Sequence, residues 1–294
     1  MDTSLILGAT SALGGAGLIL GVGLSYASKK FHVDIDERIE QVLDALPGTN
    51  CGACGFIGCE DAATAIAAGK GDATTCVAGG QEVAEHVANI MGVESVEASD
   101  PKIAVLKCGG GRNKVKARYD HSLFDDCAAA HMVAGGPSQC GYGCLGYGTC
   151  VKACPFDAME MGEDDLPKIV IERCTGCGVC NQVCPRQLLP LINLDAPLFV
   201  ACNSLDKGKE VRSYCSAGCI ACKICEKNCG EGGFEVVDNL AIVDYEKFHD
   251  CHKDQCIEKC PTKCIVTNEG VNYVDKKRTV KKAEKKQAGH CALE

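Results

Sequence analysis

Apolar positions mark out the chain before any chemistry is considered. From Leu5 to Ala27 no charged residue interrupts the sequence. As a helix rising about 1.5 Å per residue, that run reaches roughly 34 Å, enough to cross the core of a bilayer. Its glycines, Gly8, Gly14, Gly15, Gly17, Gly21 and Gly23, would weaken a helix in water. Small residues nevertheless let membrane helices approach closely, as at the step Gly17-x3-Gly21. A cleaved signal peptide would carry positive charge ahead of its apolar run, whereas here Asp2 precedes it and Lys29-Lys30 follow it. The run predicts a single transmembrane helix, with a buried soluble helix as the alternative. The lysines place the N-terminus outside and everything after Lys30 on the cytoplasmic side of the cell membrane.

Beyond the run, Val33, Ile39, Val42, Leu43 and Leu46 recur at helical spacing and stop at Pro47-Gly48. The Ala-rich stretch after Cys59 and the run Gln81–Met91, closed by Gly92, predict further short helices. Ile103–Leu106 predicts a short strand leading into Cys108-Gly109-Gly110-Gly111. This glycine run lacks the spacing of either phosphate-binding loop form.

Composition changes the picture sharply. The 294 residues include 25 Cys and 34 Gly, but no Trp, 7 Phe and 7 Tyr. An aromatic core is poorly supplied, so two or three small domains here lean on metal centres for stability. The formal charge of −9 gives no case for nucleic acid as a partner. A disulfide framework would lack repeated three-cysteine wraps ending in Cys-Pro, and zinc ribbons lack the third cysteine.

The cysteine spacing carries the chemistry. Cys140-x3-Cys144-x5-Cys150-x3-Cys154-Pro155 and Cys174-x2-Cys177-x2-Cys180-x3-Cys184-Pro185 are the pattern that holds two cubane clusters. Three close thiolates wrap one cluster and the Cys-Pro thiolate reaches across to the other. Cys140, Cys144 and Cys150 are therefore grouped with Cys184, and Cys174, Cys177 and Cys180 with Cys154. Cys51, Cys54, Cys59 and Cys76, set among glycines, form a self-contained site, for which zinc is the alternative metal. A further wrap, Cys219-x2-Cys222-x2-Cys225-x3-Cys229, faces an irregular Cys251-x4-Cys256-x3-Cys260-Pro261. Cys219, Cys222 and Cys225 group with Cys260. Cys229, Cys251 and Cys256 lack a fourth ligand: Cys264 or Asp254 could supply it, the site could hold a three-iron cluster, or it could be absent. The expectation is four [4Fe-4S] clusters with a fifth open. Cys108, Cys127, Cys202, Cys215, Cys264 and Cys291 read as structural thiols.

These features predict an α+β chain: a single N-terminal transmembrane helix, a small α-helical 4Fe-4S module, then tandem bacterial-type ferredoxin-like domains. The corresponding boundaries are an anchor at 1–30, a 4Fe-4S domain at 31–92, a connecting segment at 93–135, a two-cluster ferredoxin-like domain at 136–195, a second at 203–270 and a basic tail at 271–294. The tail reads as a solvated segment, or more sharply as a landing strip for an acidic electron carrier or lipid phosphates. Cys291-Ala-Leu-Glu ends on a residue unusual for a prenylation box. No Ser/His/Asp or Cys/His constellation stands out, so no catalytic side chain is expected.

The order of anchor, Cys-Gly-Ala-Cys-Gly-Phe module and ferredoxin repeats resembles the B subunit of the Rnf complex, over about Leu5 to Val266. The Gly-Tyr-Gly-Cys-Leu-Gly-Tyr-Gly-Thr-Cys stretch around Cys144 resembles its longer members, while the irregular Cys251 motif departs from them. The resemblance implies an electron-transfer subunit that takes electrons from soluble ferredoxin and passes them to membrane partner subunits. Those partners couple the flow to Na+ or H+ translocation and deliver electrons to NAD or another acceptor. A related complex that reduces an iron–sulfur transcription regulator is the alternative. The Cys51–Cys76 spacing is also similar to the corrinoid iron–sulfur protein, but the chain has no room for that protein's barrel and cobamide domains.

Overall fold

The computed structural model describes residues 3–31, 36–93, 100–120, 124–228, 232–248 and 253–268, with side chains from residue 13 onward. The expectations for Cys229, Cys251, Cys291 and the basic tail fall outside these residues.

The first apolar run forms α1 (Thr3–Lys30). Leu13, Leu18, Ile19, Leu20, Val22, Leu24 and Tyr26 on it are between 65% and 75% exposed. Among the described residues no helix is long and apolar enough to cross a membrane, so the expected span is not met by the described part of α1. That part takes in Lys29 and Lys30 but not the side chains of Leu5–Leu7.

Next come α2 (Glu37–Ala45), α3 (Cys59–Ala67) and α4 (Gly80–Met91). Asp36 caps α2 by accepting the backbone N–H of Arg38 at 3.0 Å, satisfying one of the donors a helix start leaves free. Gly92 ends α4 in the left-handed conformation at φ 68°, which glycine adopts without a Cβ penalty. The apolar faces of the three helices meet at Val42, Ala63, Ile66 and Val87, all essentially fully buried. Burying each of the larger side chains contributes about 1.5–3 kcal/mol. Cys54, Cys59 and Cys76 pack against this core.

The body that follows is built on short antiparallel pairs. β1 (Lys102–Ala104) pairs with β4 (Leu191–Asn193), Ile103 opposite Ile192. Between them β2 (Met159–Met161) and β3 (Pro167–Ile169) form a hairpin. α5 (Cys127–Met132), α6 (Thr149–Lys152) and α7 (Val179–Gln182) carry cysteines. Gly148 and Gly178 occupy equivalent positions before α6 and α7, at φ 69° and 76°, so the two halves repeat one another.

A further unit repeats the theme. β5 (Phe199–Val200) pairs with β8 (Ile265–Val266), and β6 (Phe234–Val237) with β7 (Leu240–Val243). α8 (Gly208–Tyr214), α9 (Ile224–Asn228) and α10 (Lys253–Lys259) complete it. Phe234 and Phe248 meet edge to face at 5.7 Å in its core. These are ferredoxin-like modules of hairpins and one-turn helices, held round cysteine rather than round aromatic side chains.

Candidate metal centres

Four cavities of similar size are lined by cysteine. Cys51, Cys54, Cys59 and Cys76 line the first, of about 400 Å³. The loop before α3 is shaped by Asn50, whose side-chain oxygen accepts the Cys59 N–H at 2.7 Å. Burial pushes the Cys76 thiol up, opposed by the N–H of Gly79, with Cys59, Cys51 and Cys54 close enough to add to the rise.

The second cavity, also about 400 Å³, is lined by Cys127, Cys144, Cys150 and Cys184. Local hydrogen bonds explain why Cys127 is there. Asp126 caps α5 through the N–H groups of Ala128 and Ala129, at 2.7 and 3.0 Å, and accepts the hydroxyl of Thr149 at 3.0 Å. That hydroxyl oxygen also accepts the Cys127 N–H at 2.9 Å. The starts of α5 and α6 are thus fastened together, which sets Cys127 beside Cys150. Burial pushes the Cys150 thiol up to about 12, and nearby Cys127 and Cys184 add to the rise.

Cys140 is placed apart from the cysteines that its spacing groups it with. Cys140 does not line the cavity of Cys144, Cys150 and Cys184. It lines a third cavity, of about 390 Å³, with Cys108, Cys202 and Cys215, where Cys144 forms the boundary with the second. Cys140 lies two residues after buried Ser138 and ahead of α6 (Thr149–Lys152). Gly143 stands between: a methyl group there would meet the sulfurs of Cys108 and Cys140, each at 3.4 Å.

Cys154, Cys174, Cys177 and Cys180 come together beside α7. Burial pushes the Cys180 thiol up to about 12, and Cys174, Cys177, Cys150 and Cys154 are near enough to reinforce this. Gly176, at φ 70°, approaches β1 so closely that a methyl group would collide with the carbonyl of Lys102, which presses the Cys174–Cys177 loop onto the strand.

The fourth cavity, about 350 Å³, is lined by Cys219, Cys222, Cys225, Cys260 and also Cys264. Cys264 lies 3.6 Å from Cys260, sulfur to sulfur. Its thiol hydrogen-bonds to both neighbours, lowering Cys219 to about 6 and Cys260 to about 5 while its own proton is held more tightly. Ala221 and Lys223 adopt φ 52° and 58° at the positions where Gly176 and Gly178 stand in the earlier wrap, a strained choice for residues with a Cβ.

The three Cys-Pro cysteines share one device. The sulfurs of Cys154 and Cys184 accept the N–H groups of Ala158 at 3.4 Å and Leu188 at 3.5 Å. Cys260 likewise accepts the N–H of Cys264, four residues on in each case. Such N–H donors to sulfur tune an iron–sulfur centre. Sequence reasoning also missed Arg186. Its half-buried guanidinium donates to the carbonyls of Gly143, Gly135 and, at 3.3 Å, Cys140. Burial lowers its pKa, while Cys140, Cys108, Cys144 and Cys184 lie near enough to favour its charge.

Cys256 is disulfide-bonded. Every other described cysteine is a free thiol. Cys229 and Cys251 lie outside the described residues, so the expected grouping of Cys229, Cys251 and Cys256 is not addressed by the structure.

The donor set suits cubanes. Among the described residues no three His, Cys, Asp or Glu side chains converge closely enough for a single metal ion. A cubane is several ångströms across and spreads its thiolates further apart, around cavities like these. Soft thiolates and N–H groups aimed at sulfur are its ordinary surroundings.

Comparison with known proteins agrees. Residues 46–78 match a family model described as "Putative Fe-S cluster", and residues 141–191 match one described as "4Fe-4S dicluster domain". The second match begins after Cys140. The chain is 40% identical to the B subunit of the ion-translocating oxidoreductase complex of Methanosarcina acetivorans, over 90% of this chain and 98% of that one. It is 42% identical to the B subunit of the Na(+)-translocating ferredoxin:NAD(+) oxidoreductase complex of Acetobacterium woodii, over 88% of this chain and 77% of that protein. Against the proton-translocating counterpart of Clostridium ljungdahlii the identity is also 42%, over 85% and 88%. With its cysteine-lined cavities and likeness over nearly full lengths, the chain belongs to the family of B subunits of ion-translocating, Rnf-type oxidoreductase complexes.

Proposed function

We propose that this chain is the electron-relay subunit of a membrane-bound complex, taking electrons from reduced ferredoxin and passing them to membrane partner subunits. Those partners couple the flow to Na+ or H+ movement and reduce NAD or another acceptor. The observation that carries the reading is the run of cysteine groups from Cys51 to Cys264, combined with relatives whose names specify ferredoxin:NAD(+) oxidoreduction. When bound, iron–sulfur clusters supply one-electron exchange.

The residues have separate duties. Cys51, Cys54, Cys59 and Cys76 hold one cubane; Cys127, Cys144, Cys150 and Cys184 a second; Cys154, Cys174, Cys177 and Cys180 a third. Cys219, Cys222 and Cys225 hold a fourth, with Cys260 as the Cys-Pro ligand and Cys264 donating a hydrogen bond beside it. Backbone N–H groups and Arg186 set the charge each site tolerates, and the apolar cavity walls exclude water. No side chain acts as acid, base or nucleophile.

We read α1 as a single membrane anchor with the cluster domains on the cytoplasmic side. This rests on the whole uncharged stretch from Leu5 to Ala27, the exposed apolar side chains on its described part, and Lys29-Lys30 behind it. The test is ferredoxin-dependent ion uptake by membrane vesicles carrying the complex. Removing residues 1–30 is expected to release the chain into the soluble fraction with its iron retained, and to abolish uptake. Undiminished uptake by vesicles lacking this subunit would contradict the proposal.

A further inference from the structure

We infer that Cys108, Cys140, Cys202 and Cys215 hold an additional [4Fe-4S] cluster, placed between the Cys150 and Cys219 clusters. Three of these residues lie outside every recognised spacing, and the fourth fits a wrap whose other members face a different cavity. The four arrive from separate parts of the chain: Cys108 after β1, Cys140 before α6, Cys202 after β5 and Cys215 at the end of α8. Yet all are buried free thiols on one cavity.

The glycines of the site fix how close the sulfurs come. A methyl group on Gly143 would touch Cys108 and Cys140 together, and one on Gly110 would lie 3.1 Å from the Cys215 sulfur and 3.9 Å from that of Cys108. The backbone is bare where the sulfurs gather. Four free thiols from four separate segments ringing one cavity are not the lining of an ordinary apolar core. Its size matches the cavities of the spacing-defined wraps, at about 350 to 400 Å³.

Hydrogen bonds to sulfur follow the same rule as at the other sites. Cys108 accepts the N–H of Cys144 at 3.3 Å and that of Gly110. Cys202 accepts from Ser204 and Cys219, and Cys215 from Ala217 and Gly218. Two of these donors are themselves ligand residues of neighbouring sites. The Cys144 N–H joins the new site to the Cys150 cluster, and the Cys219 N–H joins it to the C-terminal one. Among the described residues, none of the other ligand sets draws on both ferredoxin-like units. Held by these four thiolates, a cluster would supply one-electron exchange between the neighbouring sites. Its assembly releases four protons, one from each thiol.

The relay role rests on the proposed function; the ligand set does not, and the test separates them by reading iron instead of flux. Full-length chain is purified without air, and iron, acid-labile sulfide and the low-temperature EPR spin count are measured. Relative to wild type, the double variant Cys202→Ser/Cys215→Ser is expected to lose about four irons and four sulfides and one reduced-cluster signal, with the other signals retained. Cys291→Ser, at a cysteine that none of these ligand sets includes, is expected to lose none. A folded double variant with undiminished iron overturns the assignment. If the double variant does not fold, Cys215→Ser alone decides: an oxygen ligand in place of sulfur keeps the cubane but shifts one EPR signal and lowers its potential. A wild-type spectrum from that variant overturns the assignment equally.

Discussion

Replacing Cys154 by serine is expected to damage the cluster wrapped by Cys174, Cys177 and Cys180, and to leave the one on Cys150 in place. Cys154 follows Cys150 by only four residues, so a local reading predicts the opposite. The structure sets Cys184 on the cavity of Cys144 and Cys150, while Cys154 is among the thiols surrounding Cys180. The two Cys-Pro steps thus exchange partners across the pseudo-symmetric pair of one-turn helices. About four irons should be lost, and the EPR signal that survives should be the one altered by Cys184→Ser. Were Cys154→Ser and Cys150→Ser to strip the same cluster, the crossed arrangement would be refuted.

Arg186→Met is expected to have the next largest effect, on two observables at once. The guanidinium is the donor for the carbonyls of Gly135, Cys140 and Gly143. Truncation takes the donor from these part-buried carbonyls, which costs about 1–3 kcal/mol of stability. Methionine also removes a positive charge from among Cys140, Cys108, Cys144 and Cys184, where it favours the more negative, reduced form of a cluster. The potentials of the two clusters on those residues should therefore fall, as read by EPR-monitored redox titration. Arg186→Lys keeps charge but loses the fork, so it should recover much of the potential and little of the denaturant midpoint. Unchanged potentials in the methionine variant would show that the charge is not felt.

The difference between what the sequence made legible and what it hid is one of distance along the chain. The helical spacing through Leu46 and the Gly92 stop correspond to α2 and α4, because periodicity and capping are local. The triplets Cys174/Cys177/Cys180 and Cys219/Cys222/Cys225 are legible for the same reason: one short loop delivers three sulfurs. Cys127 is not, since it reaches Cys150 only through Asp126 and Thr149, two polar residues with no spacing signature. Cys108, Cys202 and Cys215 are single cysteines whose meeting depends on β1, β5 and α8 folding against one another. Cys140 is spaced from Cys144 like a ligand step, yet a methyl group on the intervening Gly143 would meet the sulfurs of Cys140 and Cys108 together. The N-terminal apolar run is local and legible as a helix, Thr3–Lys30.

The central claim, that these thiols grip cubanes and not single ions or one another, is tested most directly by counting iron and sulfide in wild-type chain purified without air. Five sites predict about twenty irons per chain, matched by an equal amount of labile sulfide. Stoichiometric zinc, or sulfurs recovered as disulfides with little iron, would contradict it.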